Sequence, residues 1–147
     1  MLETTSEPLA VNQPLIGCDG AAHAVVAAVA HARDLGVKIN VAVVDAGGNL
    51  TAFLRMPGAF LHSIDIAIDK AYTAAGFGFP TGEWMKAVGH DEGMKLGFAA
   101  RPRLVVFGGG LPIRVDGQLI GGIGVSGASE QQDVACASAG LAAIGAA

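Results

Sequence analysis

The fold is decided by residues 37–56, VKINVAVVDAGGNLTAFLRM. Residues 37–44 alternate in hydrophobicity and are rich in β-branched side chains, a pattern that predicts a β-strand. The next residues, 45–49, are turn formers, and residues 50–56 return as a second strand. We therefore expect a β-hairpin here and an antiparallel sheet around it.

A second hairpin is expected near the C-terminus, where the Asp116-Gly117 turn joins a short strand at 113–115 to a longer one at 118–125. The apolar run LVVF at 104–107 precedes it and is predicted to be a buried strand. With the first hairpin, these segments make a five-stranded antiparallel sheet. The predicted fold class is therefore α+β.

Helices are predicted between and outside these strands from apolar spacing and from capping residues. The candidate caps are Gly36, Ser63, Thr81 and the capping box of Ser129 with Gln132. The predicted order is α-β-β-α-α-β-β-β-α, so helices flank the sheet. We interpret residues 1–14 as an irregular leader and residues 15–147 as a single domain.

Composition limits the partners of this chain. Its net charge of −4 argues against nucleic acid, because binding to phosphates needs a basic surface. No apolar run approaches the roughly 20 residues that span a bilayer, and the N-terminus lacks a signal-peptide pattern, so we expect no membrane partner and a cytoplasmic location. Charged residues make up only 15% of the chain, too few to cover a monomer. We therefore expect a homo-oligomer, a dimer or larger.

Two glycine-rich segments are candidates for contact with a cofactor. Residues 122–127 (GIGVSG) match G-x-G-x-x-G, but the strand and acidic residue that a dinucleotide site needs about 20 positions later are missing, so that interpretation is rejected. These glycines instead predict close approach of another backbone or of a ligand. Ser126 and Gly127 lead into a helix N-terminus, where free N–H groups can bind an anion. The second such loop consists of Gly108, Gly109 and Gly110.

Three titratable or charged residues are candidates for catalysis. His62 lies at the start of a helix after an apolar loop, Lys70 lies within that helix, and Arg55 lies near the end of the second strand. His62 is a candidate acid or base, while Lys70 and Arg55 can hold an anion. For Lys70, an ion pair with Asp69 or Asp65 and a base with a lowered pKa are further alternatives. We expect the glycine segments and the start of this helix to converge on one pocket lined by His62 and Lys70, with Arg55 behind them.

Several motifs, taken in order, carry a resemblance to a known family. They are VAVVDAGGNL at 41–50, SIDIAIDKAYTA at 63–74, FGFPT at 77–81, GGGLP at 108–112 and GGIGVSG at 121–127. They resemble the GlcG/HbpS-like family, which includes haem-binding proteins of the HbpS type and the C-terminal domain of PduO-type corrinoid adenosyltransferases. The resemblance covers residues 15–145 and implies an antiparallel sheet flanked by helices in a higher homo-oligomer.

The same resemblance implies, for some members, binding of haem, a cobalamin-type tetrapyrrole or iron. Members that bind haem draw ligands from the N-terminal segment, and the matching residues here are Cys18 and His23. His62 departs from the family pattern, in which a small residue is more usual before the SIDI run. This departure suggests a subgroup with its own ligand or its own chemistry.

Three functions therefore stay open. The first is a small-molecule-binding protein whose ligand is haem or another tetrapyrrole. The second is a small catabolic enzyme, an isomerase, hydrolase or dehydratase, that acts on an anionic oxygenated metabolite with His62 as acid or base. The third is a non-catalytic oligomer that serves a neighbouring enzyme. No metal site is predicted, because the four histidines form neither H-x-H nor H-E-x-x-H.

Overall fold

The computed structural model describes residues 6–147. An antiparallel sheet lies between two layers of helices in this part of the chain. The helices are α1 (Cys18–Leu35), α2 (Ser63–Phe77), α3 (Trp84–Val88), α4 (Glu92–Ala99) and α5 (Glu130–Ala143), with a 3-10 turn at Thr81–Glu83. The strands are β1 (Asn40–Asp45), β2 (Leu50–Arg55), β3 (Gly110–Val115) and β4 (Gln118–Ser126).

Both predicted hairpins are confirmed, and they interlock in the sheet order β2-β1-β4-β3. The central strands β1 and β4 are antiparallel neighbours, with Val43 opposite Ile123. Because side chains alternate along a strand, β1 sends Val41 and Val43 to the layer of α1 and α5, and Ala42 and Val44 to α2. β1 is therefore buried on both faces.

The expected fifth strand at 104–107 is wrong. This segment is held by helix α2 instead of by a sheet edge, since the Thr73 hydroxyl accepts a hydrogen bond from the Val105 N–H at 3.1 Å and donates one to the Arg103 carbonyl at 2.9 Å. A short apolar run in the sequence is compatible with either arrangement, so periodicity could not distinguish them. The strand begins later, at Gly110, and the sheet has four strands among the described residues.

Helix α4 was not predicted from the sequence. Asp91 caps it, because its side chain accepts a hydrogen bond from the Met94 N–H at 3.0 Å. Its eight residues include two glycines, which lower the helix propensity, and none of the eight is buried. The Asp91 cap followed by Met94 and Phe98 at i, i+4 spacing was the signal available.

Two of the four predicted helix caps are confirmed, and the other two residues have different roles. Gly36 ends α1 in the left-handed conformation at φ 71°, and Ser129 and Gln132 form the expected capping box. Ser63 is not a cap: the α2 N-cap position is His62, whose side chain makes no capping hydrogen bond. Thr81 instead joins the 3-10 turn to β3, because its hydroxyl accepts a hydrogen bond from the Gly110 N–H at 2.9 Å.

The segment expected to be a leader falls partly outside the described residues. Its described part, residues 6–14, is exposed and contains no helix or strand. The boundary at residue 15 stays a prediction. Within residues 6–147, no helix is both long and apolar enough to cross a bilayer.

Candidate functional site

Helix α2 lies directly on strand β4 at two glycines, a contact that we call the glycine seam (Gly122 and Gly124 of β4 against α2). A Cβ added at Gly124 would lie 2.1 Å from the Ala67 carbonyl oxygen, and one at Gly122 would lie 2.3 Å from that of Ala71. Any side chain here would push the helix off the sheet. The glycines of the G-x-G-x-x-G stretch therefore serve the approach of another backbone, one of the two interpretations that the sequence left open.

Lys70 is enclosed where this seam meets the loop at Gly109. Its side chain is 1% exposed, and its ammonium group donates hydrogen bonds to the Val125 carbonyl at 2.8 Å and to the Asp133 carboxylate at 3.2 Å. A Cβ at Gly109 would lie 2.5 Å from the Lys70 Nζ, so the glycine is what leaves room for the ammonium. The predicted ion pair with Asp69 or Asp65 is wrong, because the partner comes from α5.

Burial dominates the electrostatics of this pair. Desolvation lowers the pKa of Lys70, against the attraction of Asp133. Desolvation likewise raises the pKa of Asp133, against the attraction of Lys70 and a hydrogen bond from the Ala128 N–H. Both charged forms are therefore disfavoured by their surroundings relative to water.

Three N–H groups near the start of α5 are bonded within the chain. The Ala128 N–H donates to Asp133, the Ser129 N–H donates to the Gln132 side chain, and the Gln132 N–H donates to the Ser129 hydroxyl. Upstream, Ser126 is buried. Gly127 lines a cavity of about 310 Å³. The chain itself therefore occupies three of the donors near the start of α5.

The other glycine loop is also used internally. The Gly108 N–H donates to the Glu130 carboxylate, and a Cβ at Gly110 would lie 2.5 Å from the Lys70 carbonyl oxygen. Gly108, Gly109 and Gly110 are all buried. The two glycine segments thus meet around α2 and Lys70, and the space between them is filled by protein.

Two of the three residues proposed for catalysis are exposed, and the third is buried. His62 is exposed at the N-cap of α2, eight residues before Lys70 and therefore about 12 Å from it along the helix axis. Arg55 is exposed at the end of β2, where its Nη2 donates to the Ala59 carbonyl at 2.7 Å. Only Lys70 is sealed from solvent.

Cys18 and His23, the residues matched to haem ligands, lie in the first turns of α1 and are both exposed. Five helical positions separate them, which places them about 140° apart around the helix. Neither residue is among the described residues that line three cavities, of about 460, 310 and 200 Å³. Among residues 6–147, no three His, Cys, Asp or Glu side chains are grouped so that they could hold a metal ion.

The largest of these three cavities lies beside α4, and we call it the apolar groove. Its volume is about 460 Å³, and its lining includes Phe77, Met94, Phe98, Arg101, Pro102 and Leu104. Buried Trp84 supports the aromatic wall, with ring centroids 4.8 Å from Phe77 and 5.0 Å from Phe98. Arg101 is the one charged residue among the described residues that line it. The groove could not be predicted from the sequence, because its wall includes α4, which was not predicted.

The sequence pattern of the family described as haem degrading protein HbpS-like matches residues 16–142. A 15.0 kDa protein from the dhaT-dhaS intergenic region of Citrobacter freundii is 41% identical over 71% of this chain and 74% of that protein. The corrinoid adenosyltransferase PduO of Salmonella typhimurium is 40% identical over 80% of this chain, which spans only 35% of that enzyme. A crystal structure described as a PduOC:heme complex superposes with a TM-score of 0.83, at 36% identity, over 90% of this chain and 97% of that one.

Proposed function

This chain belongs to the HbpS-like family, and we propose that it binds haem or a related tetrapyrrole in the apolar groove. The observation that carries the proposal is a groove of about 460 Å³ with aromatic walls and a single arginine, in a fold shared with a protein crystallised with haem. Ligand sites of this kind are mostly apolar, with a few polar groups that fix the orientation of the ligand.

The residues of the groove fit the chemistry of haem. Phe77 and Phe98 offer flat apolar surface to a macrocycle, and the Arg101 guanidinium can pair with a propionate carboxylate. The Met94 thioether is half-exposed in the groove and belongs to the side chains that ligate haem iron in proteins. Haem would supply the iron chemistry when bound, and the chain would bind it, orient it and exclude water from one face.

The two haem-ligand candidates on α1 provide a way to test whether the groove is the haem site. Cys18 and His23 are both residue types that ligate haem iron, but they lie on α1, which contributes no residue to the groove. If α1 supplies the haem ligand, substitutions of Cys18 or His23 should alter haem binding. If haem lies in the groove, substitutions of the groove residues should alter it.

The experiment is a haemin titration of the purified chain, followed by the Soret absorbance. We expect saturable binding at micromolar haemin, a shifted Soret band in Met94→Leu and weaker binding in Arg101→Gln. Lys86→Gln removes the same charge from an exposed pair with Glu83 and serves as the matched control. Lack of saturable binding would remove the proposal. A Soret band altered only by His23→Ala or Cys18→Ala would keep haem as the ligand and reject the groove.

We also propose that the chain forms a homo-oligomer, as the sequence predicted. Large apolar side chains are exposed on several elements, including Phe60, Leu61, Phe77, Leu96 and Phe107. Exposed apolar surface of this kind is typical of an interface between subunits. Size-exclusion chromatography with light scattering should give a dimer or larger, and a 14.7 kDa monomer at micromolar concentration would contradict this expectation. The cytoplasmic location stays a prediction.

The alternative of a catabolic enzyme has less support. In it, Lys70 and Arg55 hold the substrate anion while His62 transfers a proton. The Lys70 ammonium is already bonded to Val125 and Asp133, so it has no room for a substrate anion in this arrangement. The third alternative, a non-catalytic oligomer that serves a neighbouring enzyme, would be favoured by an oligomer that binds no haem.

A further inference from the structure

Positive charge is gathered in a cleft on the opposite helix layer from the apolar groove. The cleft lies between the C-terminal half of α1 and the end of β2, has a volume of about 200 Å³, and we call it the basic cleft. Its charged lining residues are Arg33, Lys38 and Arg55, and its apolar lining includes Val29, Leu54 and Met56. No carboxylate is among the described residues that line it.

This concentration of charge is unusual for this chain, which has nine Lys and Arg residues and a net charge of −4. Four of the others are ion-paired: Lys70 with Asp133, Lys86 with Glu83, Lys95 with Glu92, and Arg103 with Asp69. Within residues 6–147, none of the three cleft cations forms a salt bridge. Like charges gathered without counter-charges repel one another, and an anion between them relieves the repulsion.

Two of the three cations are placed by packing. The Arg55 guanidinium donates one hydrogen bond to the Ala59 carbonyl at 2.7 Å, which orients the group and leaves other N–H donors available. The Lys38 side chain lies across Gly58, where an added Cβ would be 2.8 Å from Nζ and 3.0 Å from Cδ. A side chain at Gly58, whose φ is 89°, would displace the lysine.

Lys38 also borders a second space. It lines the cavity of about 310 Å³ that contains Ala59, Phe60, Gly127 and Ala128, so the two cavities share this lysine as a common wall. Phe60 is largely exposed and offers an aromatic face at that cavity. An anionic group in the basic cleft could therefore carry a small apolar body on towards Phe60.

We propose that the basic cleft binds a small dianion, a phosphate monoester or a dicarboxylate with a compact apolar body, at a site separate from the haem groove. Two guanidinium groups and one ammonium group match two negative charges on one end of a ligand. The cleft and the apolar groove share no lining residue. Because the three cations are solvent-exposed, binding should be weakened by salt.

The test is calorimetric titration of the purified chain with phenyl phosphate, phenylsuccinate and phenol at low salt. We expect saturable binding of at least one dianion, weakening at high salt, and no saturation by phenol. Arg33→Gln, Lys38→Met and Arg55→Gln should each lower the affinity by about three- to tenfold. The dianion that binds more tightly identifies the class of the ligand.

Lys86→Gln is the matched control, because it removes one exposed positive charge far from the cleft in sequence. Equal weakening in this variant, binding of phenol as tight as that of the dianions, or saturation by neither dianion would overturn the inference. Arg33→Gln and Arg55→Gln should also leave the haemin titration unchanged. A fall in haemin affinity in those variants would instead make the cleft part of the haem site and reject a separate one.

Discussion

Helix α2 is packed tightly against strand β4 and loosely at its C-terminal end. Towards β4, the glycine seam brings the α2 backbone against the strand so closely that no Cβ fits at Gly122 or Gly124. Towards the C-terminal end of α2, Phe77 borders the apolar groove beside α4, a helix with no buried residue. The seam is closed by backbone and by the Lys70–Asp133 pair, whereas the groove is open to solvent.

The contrast between the glycine seam and the apolar groove indicates where a ligand can enter. The glycines were candidates for ligand contact because a missing side chain leaves room, but at the seam the α2 backbone fills that room. Aromatic and thioether side chains without full burial are the better indicator of a site here, since the cost of leaving them exposed is offset when a ligand covers them.

The largest expected effect tests the closed side. Lys70→Met and Asp133→Asn should each lower the free energy of unfolding by about 3–5 kcal/mol, because each leaves a buried charge without its partner. The double variant Lys70→Met with Asp133→Asn leaves no buried charge and should be more stable than either single variant. Chemical denaturation monitored by circular dichroism measures all three.

The control is Lys95→Met on the open side, which removes an exposed pair with Glu92. It should change stability by less than about 0.5 kcal/mol. A double variant less stable than both singles would show that the pair stabilises the fold through more than charge compensation.

The same substitution on the two sides gives the next largest contrast. Gly124→Ala should cost about 2–3 kcal/mol, because its Cβ meets the Ala67 carbonyl and the Ala71 nitrogen, which cannot rotate away. Gly97→Ala in α4 meets nothing within 4 Å and should stabilise by about 0.5 kcal/mol through helix propensity. Equal effects on the denaturation midpoint would mean that the contact between α2 and β4 is looser than described.

The pH dependence of stability should follow the buried pair. Burial lowers the pKa of Lys70 below 10.5, so between the lowered value and 10.5 the unfolded chain binds more protons and stability rises with pH. Burial raises the pKa of Asp133 above 3.8, so between 3.8 and the raised value the folded chain binds more protons and stability falls as pH rises.

Each slope is at most about 1.4 kcal/mol per pH unit. Both slopes should be absent from the pH profile of unfolding free energy of the variant with Lys70→Met and Asp133→Asn. They should therefore remain when that profile is subtracted from the profile of the natural chain. A flat difference profile would contradict the described burial of the pair.

The smallest effect is expected at His62. Its side chain is exposed at the α2 N-cap and makes no capping hydrogen bond, so His62→Ala should change the free energy of unfolding by no more than about 0.5 kcal/mol. A thermal melt of the variant measures this. A large loss would indicate that His62 packs against another subunit.

Local chemistry determined much of the fold from the sequence alone. The DAGGN and Asp116-Gly117 turns and the Ser129 capping box involve residues close together in the chain, and each is present. The strand predicted at 37–44 is also present, at Asn40–Asp45. The family could likewise be recognised from motifs, because it depends on residue identities and their order.

Contacts between residues far apart in the sequence depend on the tertiary structure. Lys70 forms its ion pair with Asp133, 63 residues away, and not with its neighbour Asp69, because the fold brings the α5 N-terminus to the end of β4. The segment 104–107 is likewise held by a distant partner: the Val105 N–H donates to the Thr73 hydroxyl of α2 and not to a neighbouring strand. The grouping of Arg33, Lys38 and Arg55 has no sequence signature, since their proximity results from α1 packing beside the edge strand β2. Residue types set the local preferences, and long-range packing determined which groups meet.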